Sequence, residues 1–490
     1  MKTRFFLLLP LFCANFALAI AQQITMEGVQ AINKIGSFLH EGELLGYYCF
    51  YEAKKPSSGK RLYRLKLFDQ DLNSTGWTNL IDSKNSAFHS ATATSKSLML
   101  LFANAKKNTY ILRQYSRKGE EISTKTIQER KDARVDHSIV AISDKGFLHY
   151  SAVPYYYALQ FITEDESVNN WEVNKNVGKP FVLEYLASND SAIICLLSIR
   201  QNGVTGGSEL KLIAHSLHTG EELFKVDVAD SQYAVQLTNG FLSGNQIHLF
   251  GQYFEKNAAA DKGNSLGLCM IRLDMQGNVL SRQYLSWEKE VSMLLPANDK
   301  GKIKNVGYLC FHNFIKSQDG KVFGVAESYR RTADGWGIAA TLLSPGSSNV
   351  VKIVVGNLYV FEFSSEFTLK SVQIFEKMPT DIASPAAGFE SQGAVANYVR
   401  LMGGFDYAFT KVNKDRSFFS INYIDFVGRK SYELGVIQYN GNGVAVTKKD
   451  WTTSSFFTGI LPAKEGYMAL WEYDYIRKKI IRISLQKLEE

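Results

Sequence analysis

Cysteine and proline are both scarce in this sequence, with five and nine residues respectively in a chain of 490. The low proline content, together with 45% apolar and 21% charged residues, excludes a Pro-rich or strongly charged disordered chain. The cysteines beyond the first 21 residues lie far apart in apolar segments, without the close spacing of a zinc or redox motif. We expect Cys49, Cys195, Cys269 and Cys310 to be buried free thiols, with disulfide bonds as the alternative if the chain is exported.

A hydrophobic run long enough to cross a membrane is also missing. The apolar segment over residues 5–16 is shorter than the roughly 20 residues that a spanning helix needs. Lys2 and Arg4 precede this segment and small residues at 19 and 21 follow it, which is the pattern of a cleaved signal peptide. We therefore predict a signal peptide at residues 1–21, no transmembrane segment, and an exported protein that is periplasmic, secreted or at the cell surface.

Strong charge of one sign is absent as well. The formal net charge is +7, spread over the whole chain, and the basic runs at 330–331 and 477–479 are short. Proteins that bind nucleic acids concentrate basic residues on one face or along one helix. We therefore expect no nucleic-acid partner.

What the sequence does contain is a repeat. Eight times, about every 50 residues, an apolar strand is followed by a polar turn and a second strand, most clearly at 61–77, 110–119 and 268–280. A unit of this size cannot bury its apolar face alone and has to stack against its neighbours. Two further short strands precede each copy. The pattern predicts an all-β fold, a β-propeller of about eight four-stranded blades, with seven blades as the alternative.

The two ends of the chain predict how the ring closes. The eighth copy stops after its third strand at 479–485, whereas residues 24–32 form a strand-like segment with no partner in the first repeat. Pairing the two would complete the last sheet and remove exposed strand edges. We expect residues 22–490 to form a single propeller domain closed by this N-terminal strand.

Two repeats are longer than the others, with insertions at about 329–350 and 377–414. In the second insertion, Ser384 and Pro385 suggest the start of a helical region. Residues 394–402 have helical character and are followed by Gly403, which is typical of a helix C-terminus. Insertions in repeat proteins commonly decorate the binding face. We therefore expect a short helical insertion on that face.

The densest group of polar residues lies in the sixth repeat, and it supplies the candidate ligand-binding residues. They are His312, Asn313, Asp319, Glu327, Tyr329 and Arg330. His312, Asp319 and Glu327 lie on adjacent strands of one blade and could converge near the central channel as an acid/base group, provided that a cleft reaches them. The alternative is that His312 is a hydrogen-bonded core residue and Asp319 part of a hairpin turn. No residue is assigned as catalytic.

Metal and cofactor sites are not expected. Residues 69–76 begin like a calcium loop, but the glycine comes two positions late and Leu80 stands where a glutamate ligand is needed. His215 and His218 are three residues apart on a strand, so their rings should point to different faces. We interpret the first segment as a polar turn and predict neither a metal nor a cofactor.

The segments from His312 through Tyr329, over 356–363 and up to Lys377 resemble an uncharacterised family of exported bacterial propeller-like proteins. The resemblance spans most of the chain beyond the signal peptide and is sharpest in repeats five to seven. It implies export and an all-β repeat fold, and it brings no known activity and no known functional residues.

These observations favour a ligand-binding or protein-interaction scaffold whose partner is a protein, a peptide or a glycan. The alternative is a hydrolase that acts on glycans or peptides with a site near the central channel. Whether the chain is an enzyme is left open, with the balance against catalysis.

Overall fold

The computed structural model describes most of the chain beyond the predicted signal peptide. The described residues are 22–53, 59–104, 106–128, 136–153, 155–164, 168–200, 208–228, 231–256, 264–333, 351–383, 391–428, 431–441, 443–453, 455, 457–474, 476 and 479–488. Residues 1–21 lie outside them. No helix within the described segments is long and apolar enough to cross a membrane.

The described chain is built almost wholly from short antiparallel strands. In chain order they are β1 (Gln23–Met26), β2 (Ala31–His40), β3 (Glu43–Glu52), β4 (Lys60–Asp69), β5 (Ser74–Ser83), β6 (Ser86–Ala93), β7 (Ser97–Asn104), β8 (Thr109–Ser116), β9 (Glu121–Gln128), β10 (Asp136–Ile142), β11 (Gly146–Val153), β12 (Tyr156–Thr163), β13 (Trp171–Asn176), β14 (Phe181–Ser188), β15 (Ala192–Arg200), β16 (Ser208–Ser216), β17 (Glu222–Asp227), β18 (Tyr233–Ser243), β19 (Gln246–Glu255), β20 (Gly267–Asp274), β21 (Val279–Ser286), β22 (Tyr308–Lys316), β23 (Val322–Ala333), β24 (Val351–Phe363), β25 (Leu369–Phe375), β26 (Thr380–Ala383), β27 (Tyr407–Val412), β28 (Phe419–Gly428), β29 (Ser431–Tyr439), β30 (Val444–Thr452), β31 (Phe457–Leu461), β32 (Tyr467–Asp474) and β33 (Ile480–Lys487). A single turn of 3₁₀-helix spans Val291–Met293, and one α-helix, α1, spans Gln392–Leu401.

The strands form eight sheets that follow one another along the chain as the blades of a β-propeller. Blade one is β2–β5, blade two β6–β9, blade three β10–β13, blade four β14–β17 and blade five β18–β21. Blade six is β22–β25 with β26 added to its edge, blade seven is β27–β30, and blade eight is β31–β33 with β1. The prediction of eight four-stranded blades is confirmed, and the alternative of seven is not what the chain adopts.

Each blade becomes more polar from its middle strands to its outer strand. In blade two, β7 is buried at nearly every residue, whereas β9 is exposed along almost its whole length. Middle strands are covered by neighbouring blades on both faces, so they are apolar throughout and do not alternate. Cys49, Cys195 and Cys269 lie on middle strands and Cys310 lies on the innermost strand of blade six; all four are buried free thiols, as expected.

The N-terminal strand closes the ring. β1 pairs antiparallel with β33 as the outer strand of blade eight, and Met26 packs with residues of blades eight and one. The predicted closing strand over 24–32 is in fact two pieces. Gly28, with φ +71°, reverses the chain after β1, and β2 then begins the innermost strand of blade one.

The innermost strands share a local irregularity. Over the described residues, six of these strands carry a β-bulge in their pairing with the next strand, which leaves one residue outside the regular ladder. The bulged residues are Asn33, His89, Leu186, Thr238, His312 and Ala408. Bulges re-aim side chains and backbone carbonyls, and in a propeller the innermost strands surround the central channel.

Blade six extends beyond the other blades at one end. β23 and β24 remain paired as far as Ala333 and Val351, and β26 continues the edge of the blade after a four-residue interruption that follows β25. This end carries the links between blades and the loops between second and third strands. The described parts of both predicted insertions lie at this end, and residues 334–350 and 384–390 are outside the described chain.

Helix α1 packs on this extension. Ser391 caps its N-terminus by accepting a hydrogen bond from the Ala394 N–H, and Gly403, with φ +64°, ends it. Val395 and Val399, four residues apart on one helix face, are buried against Tyr329 and the start of β24. The predicted helix and its glycine stop are confirmed. The helix begins two residues earlier than predicted, and the suggested start at Ser384 lies outside the described residues.

Candidate ligand site between blades five and six

His312 and Glu327, predicted on neighbouring strands of blade six, do lie together. His312 Nε2 is 2.9 Å from Glu327 Oε2, although the N–H direction does not meet the geometry of an aligned hydrogen bond. The imidazole stacks on the ring of Tyr407, with centroids 4.8 Å apart, and meets Phe405 edge-on. Glu327 is completely buried. The pair therefore belongs to the interface with blade seven.

Two further charged residues complete this cluster, which we call the buried ion cluster: His312, Glu327, Lys377 and Asp406. Lys377 Nζ lies 3.0 Å from Glu327 Oε1 and 2.5 Å from Asp406 Oδ2, and its side chain is fully buried. Asp406 N–H and Tyr407 N–H donate to the two Glu327 oxygens at 3.1 and 3.0 Å. Each oxygen of Glu327 therefore has a partner, as a buried carboxylate requires.

The pKa values of the cluster follow from burial and mutual attraction. Burial alone would raise the pKa of Glu327, but the His312 ring, the Lys377 ammonium and the Tyr407 N–H outweigh it, and the pKa is lowered. Burial raises the pKa of Asp406 to about 6 even though Lys377 acts to lower it. Burial acts to lower the pKa of Lys377, but its two carboxylate neighbours raise it above the ordinary value. Glu327 and Lys377 thus form an ion pair at neutral pH.

The cluster has a structural cause in the interrupted edge of blade six. Between β25 and β26 the chain leaves the ladder, and the backbone there needs other hydrogen-bond partners. Asn357 Oδ1 accepts from the Lys377 N–H, and the Asp425 carboxylate accepts from the Met378 N–H at 3.0 Å. Carboxylates and an amide thus replace the missing sheet bonds where the connection to blade seven turns inward.

The other predicted residues are dispersed over blade six. Asp319 lies in the β22–β23 turn, at the opposite end of the blade from Glu327, where it accepts from Ser317 and from the Tyr439 hydroxyl. Asn313 contributes a side-chain hydrogen bond to Tyr407. Tyr329 is buried and its hydroxyl donates to the Gln392 carbonyl, whereas the exposed Arg330 donates to the Asn305 carbonyl. Of the predicted group, the structure brings His312, Asn313 and Glu327 to one interface.

The turn that resembles the start of a calcium loop is stabilised from within. Asp69 Oδ1 accepts from the N–H groups of Asp71 and Asn73, and Oδ2 accepts from the Asn73 side-chain amide. Asp274 and Asn278 repeat this arrangement in blade five. These are side-chain-stabilised polar turns between the outer strands.

A cleft opens between blades five and six, beneath α1. It is a small, open cleft, with about 60 Å³ of space that a water molecule can reach. Its apolar walls come from β20 and β22, through Leu268, Leu309 and Phe314 among others. Its polar lining comes from three separate stretches of chain: Gln236, Thr238 and Gln252 in blade five, Tyr329 in blade six, and Asn397 and Arg400 on α1.

Four of these polar side chains have no hydrogen-bond partner elsewhere in the described chain. The Gln236, Thr238, Gln252 and Asn397 side chains all face the cleft without such a bond. Thr238 is the bulged residue of its strand, so it stands outside the regular ladder of blade five. Gln236 and Gln252 are partly covered, whereas Thr238 and Asn397 are exposed, and all four side chains are accessible to a ligand in the open cleft.

Arg400 is held at the edge of the cleft. Its Nη2 donates to the Phe311 carbonyl at 3.2 Å and to Cys310 Sγ at 3.3 Å, directly before the bulge at His312. Within the described residues, no acceptor meets Nε or Nη1 of this side chain. The guanidinium is therefore oriented by the protein while part of its donor fork stays available.

The fold and this cleft define an eight-bladed β-propeller with one elaborated face and a candidate ligand site on it. The chain belongs to DUF6770, a family of unknown function, which it matches over residues 1–489. No curated protein matches the chain. The resemblance drawn from the sequence, to an uncharacterised propeller-like family, is confirmed.

Similar solved structures are distant in sequence. Prolyl oligopeptidase B from Galerina marginata is 8% identical, with a TM-score of 0.43, over 91% of this chain and 55% of that one. Quinohemoprotein alcohol dehydrogenase from Comamonas testosteroni is 8% identical, with a TM-score of 0.41, over 96% and 78%. The polysaccharide lyase Uly1 is 9% identical, with a TM-score of 0.40, over 94% and 100%. The chain thus spans about half the length of the oligopeptidase, and these distant similarities indicate no activity.

Proposed function

We propose that this protein is a non-catalytic binding propeller whose ligand site is the cleft beneath α1. The observation that carries the proposal is the set of four polar side chains without intramolecular partners, together with Arg400, around that cleft. Ligand sites commonly combine an apolar wall with a few convergent polar groups, and the lining of this cleft matches that pattern. The partner is a glycan, a peptide or a segment of another protein.

The cleft offers little to a hydrolytic mechanism. Cys310, the thiol at its wall, is buried, and burial raises its pKa to about 11, so it is protonated at neutral pH and a poor nucleophile. Glu327 is completely buried, paired with Lys377, and not among the residues that line the cleft. Asp319 lies at the other end of the blade. Among the described residues that line the cleft, no acid/base pair supports the hydrolase alternative.

We propose further that the protein acts outside the cytoplasm. The basic start at Lys2 and Arg4, the apolar segment after it and the small residues at 19 and 21 support export. Expression of the full chain in a bacterium, followed by fractionation and N-terminal sequencing, tests this. A mature N-terminus at Gln22 in a non-cytoplasmic fraction is the expected result, and an intact Met1 in the cytoplasm would contradict it.

The test of the binding proposal is a glycan and peptide array probed with the chain from Gln22 onward. A Gly393→Leu variant should lose the ligands that the unchanged protein binds, since the new side chain would start 3.9 Å from Gln236 Oε1 and fill the cleft. Gly428→Leu is the matched control, because the same side chain there meets nothing within 4 Å. Retained binding in Gly393→Leu would place the site elsewhere.

A further inference from the structure

The described lining of the cleft carries a single positive charge. Arg400 is the single charged side chain among the described residues that line it, and no carboxylate lines it. Glu184 in blade four interacts electrostatically with Arg400 but lies outside the lining. A ligand that places an anionic group in the cleft would therefore meet an oriented cation without facing a carboxylate wall.

Four of the remaining polar side chains in the lining are uncharged amides and hydroxyls. Gln236, Gln252 and Asn397 present amides, and Thr238 presents a hydroxyl. Such groups both donate and accept hydrogen bonds, as the hydroxyls of a sugar also do. A zwitterionic ligand would in addition need an acceptor for its ammonium group, and the described lining offers no carboxylate for that purpose.

Resting on the proposed function of this cleft, we propose that its ligand is a hydroxylated carboxylate, namely a uronic acid residue, free or at the end of a glycan. The carboxylate binds the open edge of the Arg400 guanidinium, which suits planar bidentate recognition. The ring hydroxyls bind the amides of blade five and of α1. The apolar face of the sugar ring meets the narrow exposed part of the wall to which Leu309 and Phe314 contribute.

The test is titration calorimetry of the chain from Gln22 onward with D-glucuronate and with D-glucose, which differ in the carboxylate. Glucuronate should bind at least tenfold more tightly than glucose, and Arg400→Gln should lose at least tenfold of the glucuronate affinity. Arg400→Lys should recover part of that loss, because it restores the charge but not the planar fork. Arg64→Gln is the matched control: Arg64 donates to Asn79 in blade one, far from the cleft in the ring, and its loss should leave the affinity within twofold.

The outcomes separate this inference from the binding proposal. Equal binding of glucose and glucuronate, lost in Gly393→Leu, would keep the cleft as the site and overturn the acidic ligand. No glucuronate binding at tens of millimolar would also overturn the acidic ligand, while a peptide or neutral glycan from the array that is sensitive to Gly393→Leu would keep the site. Glucuronate binding that survives Gly393→Leu would overturn both. A circular dichroism spectrum of each variant confirms that it is folded.

Discussion

Two interfaces between blades bury polar groups, and they do so in opposite ways. Between blades two and three, His137 Nδ1 lies 2.8 Å from His149 Nε2, and Tyr110 stacks on His137 with centroids 3.6 Å apart. Burial lowers the pKa of His137 to about 3 and that of His149 to about 4, so this cluster is neutral. Between blades six and seven, the buried ion cluster is charged. The neutral cluster lies between regular blades, and the charged cluster lies where the ladder of blade six is broken.

The difference between the two interfaces shows that the interrupted sheet of blade six needs side-chain acceptors for its backbone N–H groups. Regular blades satisfy their backbone groups by pairing, so their interfaces need only aromatic and aliphatic packing with a few neutral polar groups. In blade six the chain leaves the sheet between β25 and β26, where Asp425 accepts the Met378 N–H. Glu327 accepts the N–H groups of Asp406 and Tyr407, where the chain returns to begin blade seven. The charged residues hold the connection that carries α1, and α1 forms the roof of the cleft.

Both interfaces depend on a closed ring, so opening the ring should have the largest effect. Deletion of residues 22–26 removes β1 and exposes the edge of β33 in blade eight. We expect loss of cooperative unfolding and aggregation, measured by chemical denaturation and light scattering. Within β1, Met26→Asp should reproduce much of the damage because Met26 is buried, whereas the exposed Gln23→Asp should not. A cooperative transition with an unchanged midpoint after the deletion would contradict the closure.

Breaking the charged interface should have the next largest effect. Glu327→Ala leaves two backbone N–H groups buried without their acceptor and leaves the buried Lys377 with Asp406 as its remaining carboxylate partner, which should destabilise the protein by about 3–5 kcal/mol. Urea denaturation measures this change. Asp319→Asn, at the partly exposed turn of the same blade, is the control and should cost less than about 1 kcal/mol. Equal effects of the two substitutions would mean that the buried ion cluster does not stabilise blade six.

Acid should separate the neutral interface from the charged one. The pKa values of His137 and His149 are lower in the folded protein than the ordinary 6.5, so their contribution is complete above pH 6.5 and is lost as the pH falls towards 4. Each histidine should cost up to about 1.4 kcal/mol of unfolding free energy per pH unit in that window. Asp406, with a raised pKa of about 6, acts in the opposite direction, because protonation below pH 6 favours the folded state.

Urea denaturation between pH 7 and pH 5 measures this dependence. His149→Gln should flatten it by removing one buried imidazole, whereas His218→Gln, at an exposed turn position, is the control and should not flatten it. The same slope in all three proteins would show that the histidines between blades two and three do not set the acid sensitivity.

The smallest effect is expected at a regular polar turn. Asp69→Ala removes three hydrogen bonds within the turn of blade one and should destabilise the protein by about 1 kcal/mol. Asp71→Ala, which removes a partly exposed ion pair with Lys464, is the control and should have a smaller effect. Thermal unfolding of both variants checks the order, and a larger loss for Asp71→Ala would contradict the assignment of the turn.

The fold could be predicted from the sequence because its signals are local. Each blade repeats apolar strands and polar turns within about 50 residues, and the missing outer strand of the last repeat predicted the role of β1. His312 and Glu327 were predicted as neighbours because their strands form one hairpin. Asp319 does not join them, because it lies in the hairpin turn, at the end of β22 and β23 that is remote from Glu327.

The cleft could not be predicted in this way. Its polar lining comes from stretches around residues 236, 252 and 397, whose glutamines, threonine and asparagine are ordinary surface residues until the ring and α1 bring them together. Lys377 and Asp406 were also missed, since one begins the predicted insertion and the other lies within it, and they meet only when the connection folds back onto blade six. The usable signal was the insertion itself, which indicated the elaborated face but not the residues.

Amide hydrogen exchange with and without the ligand that the array identifies is the most direct test of a binding site beneath α1. At saturating ligand, the structure predicts added protection in 236–252, 309–314 and 392–400, with no change in 97–116 of blade two. Protection confined to other blades, or none around the cleft, would contradict the assignment of this face as the functional one.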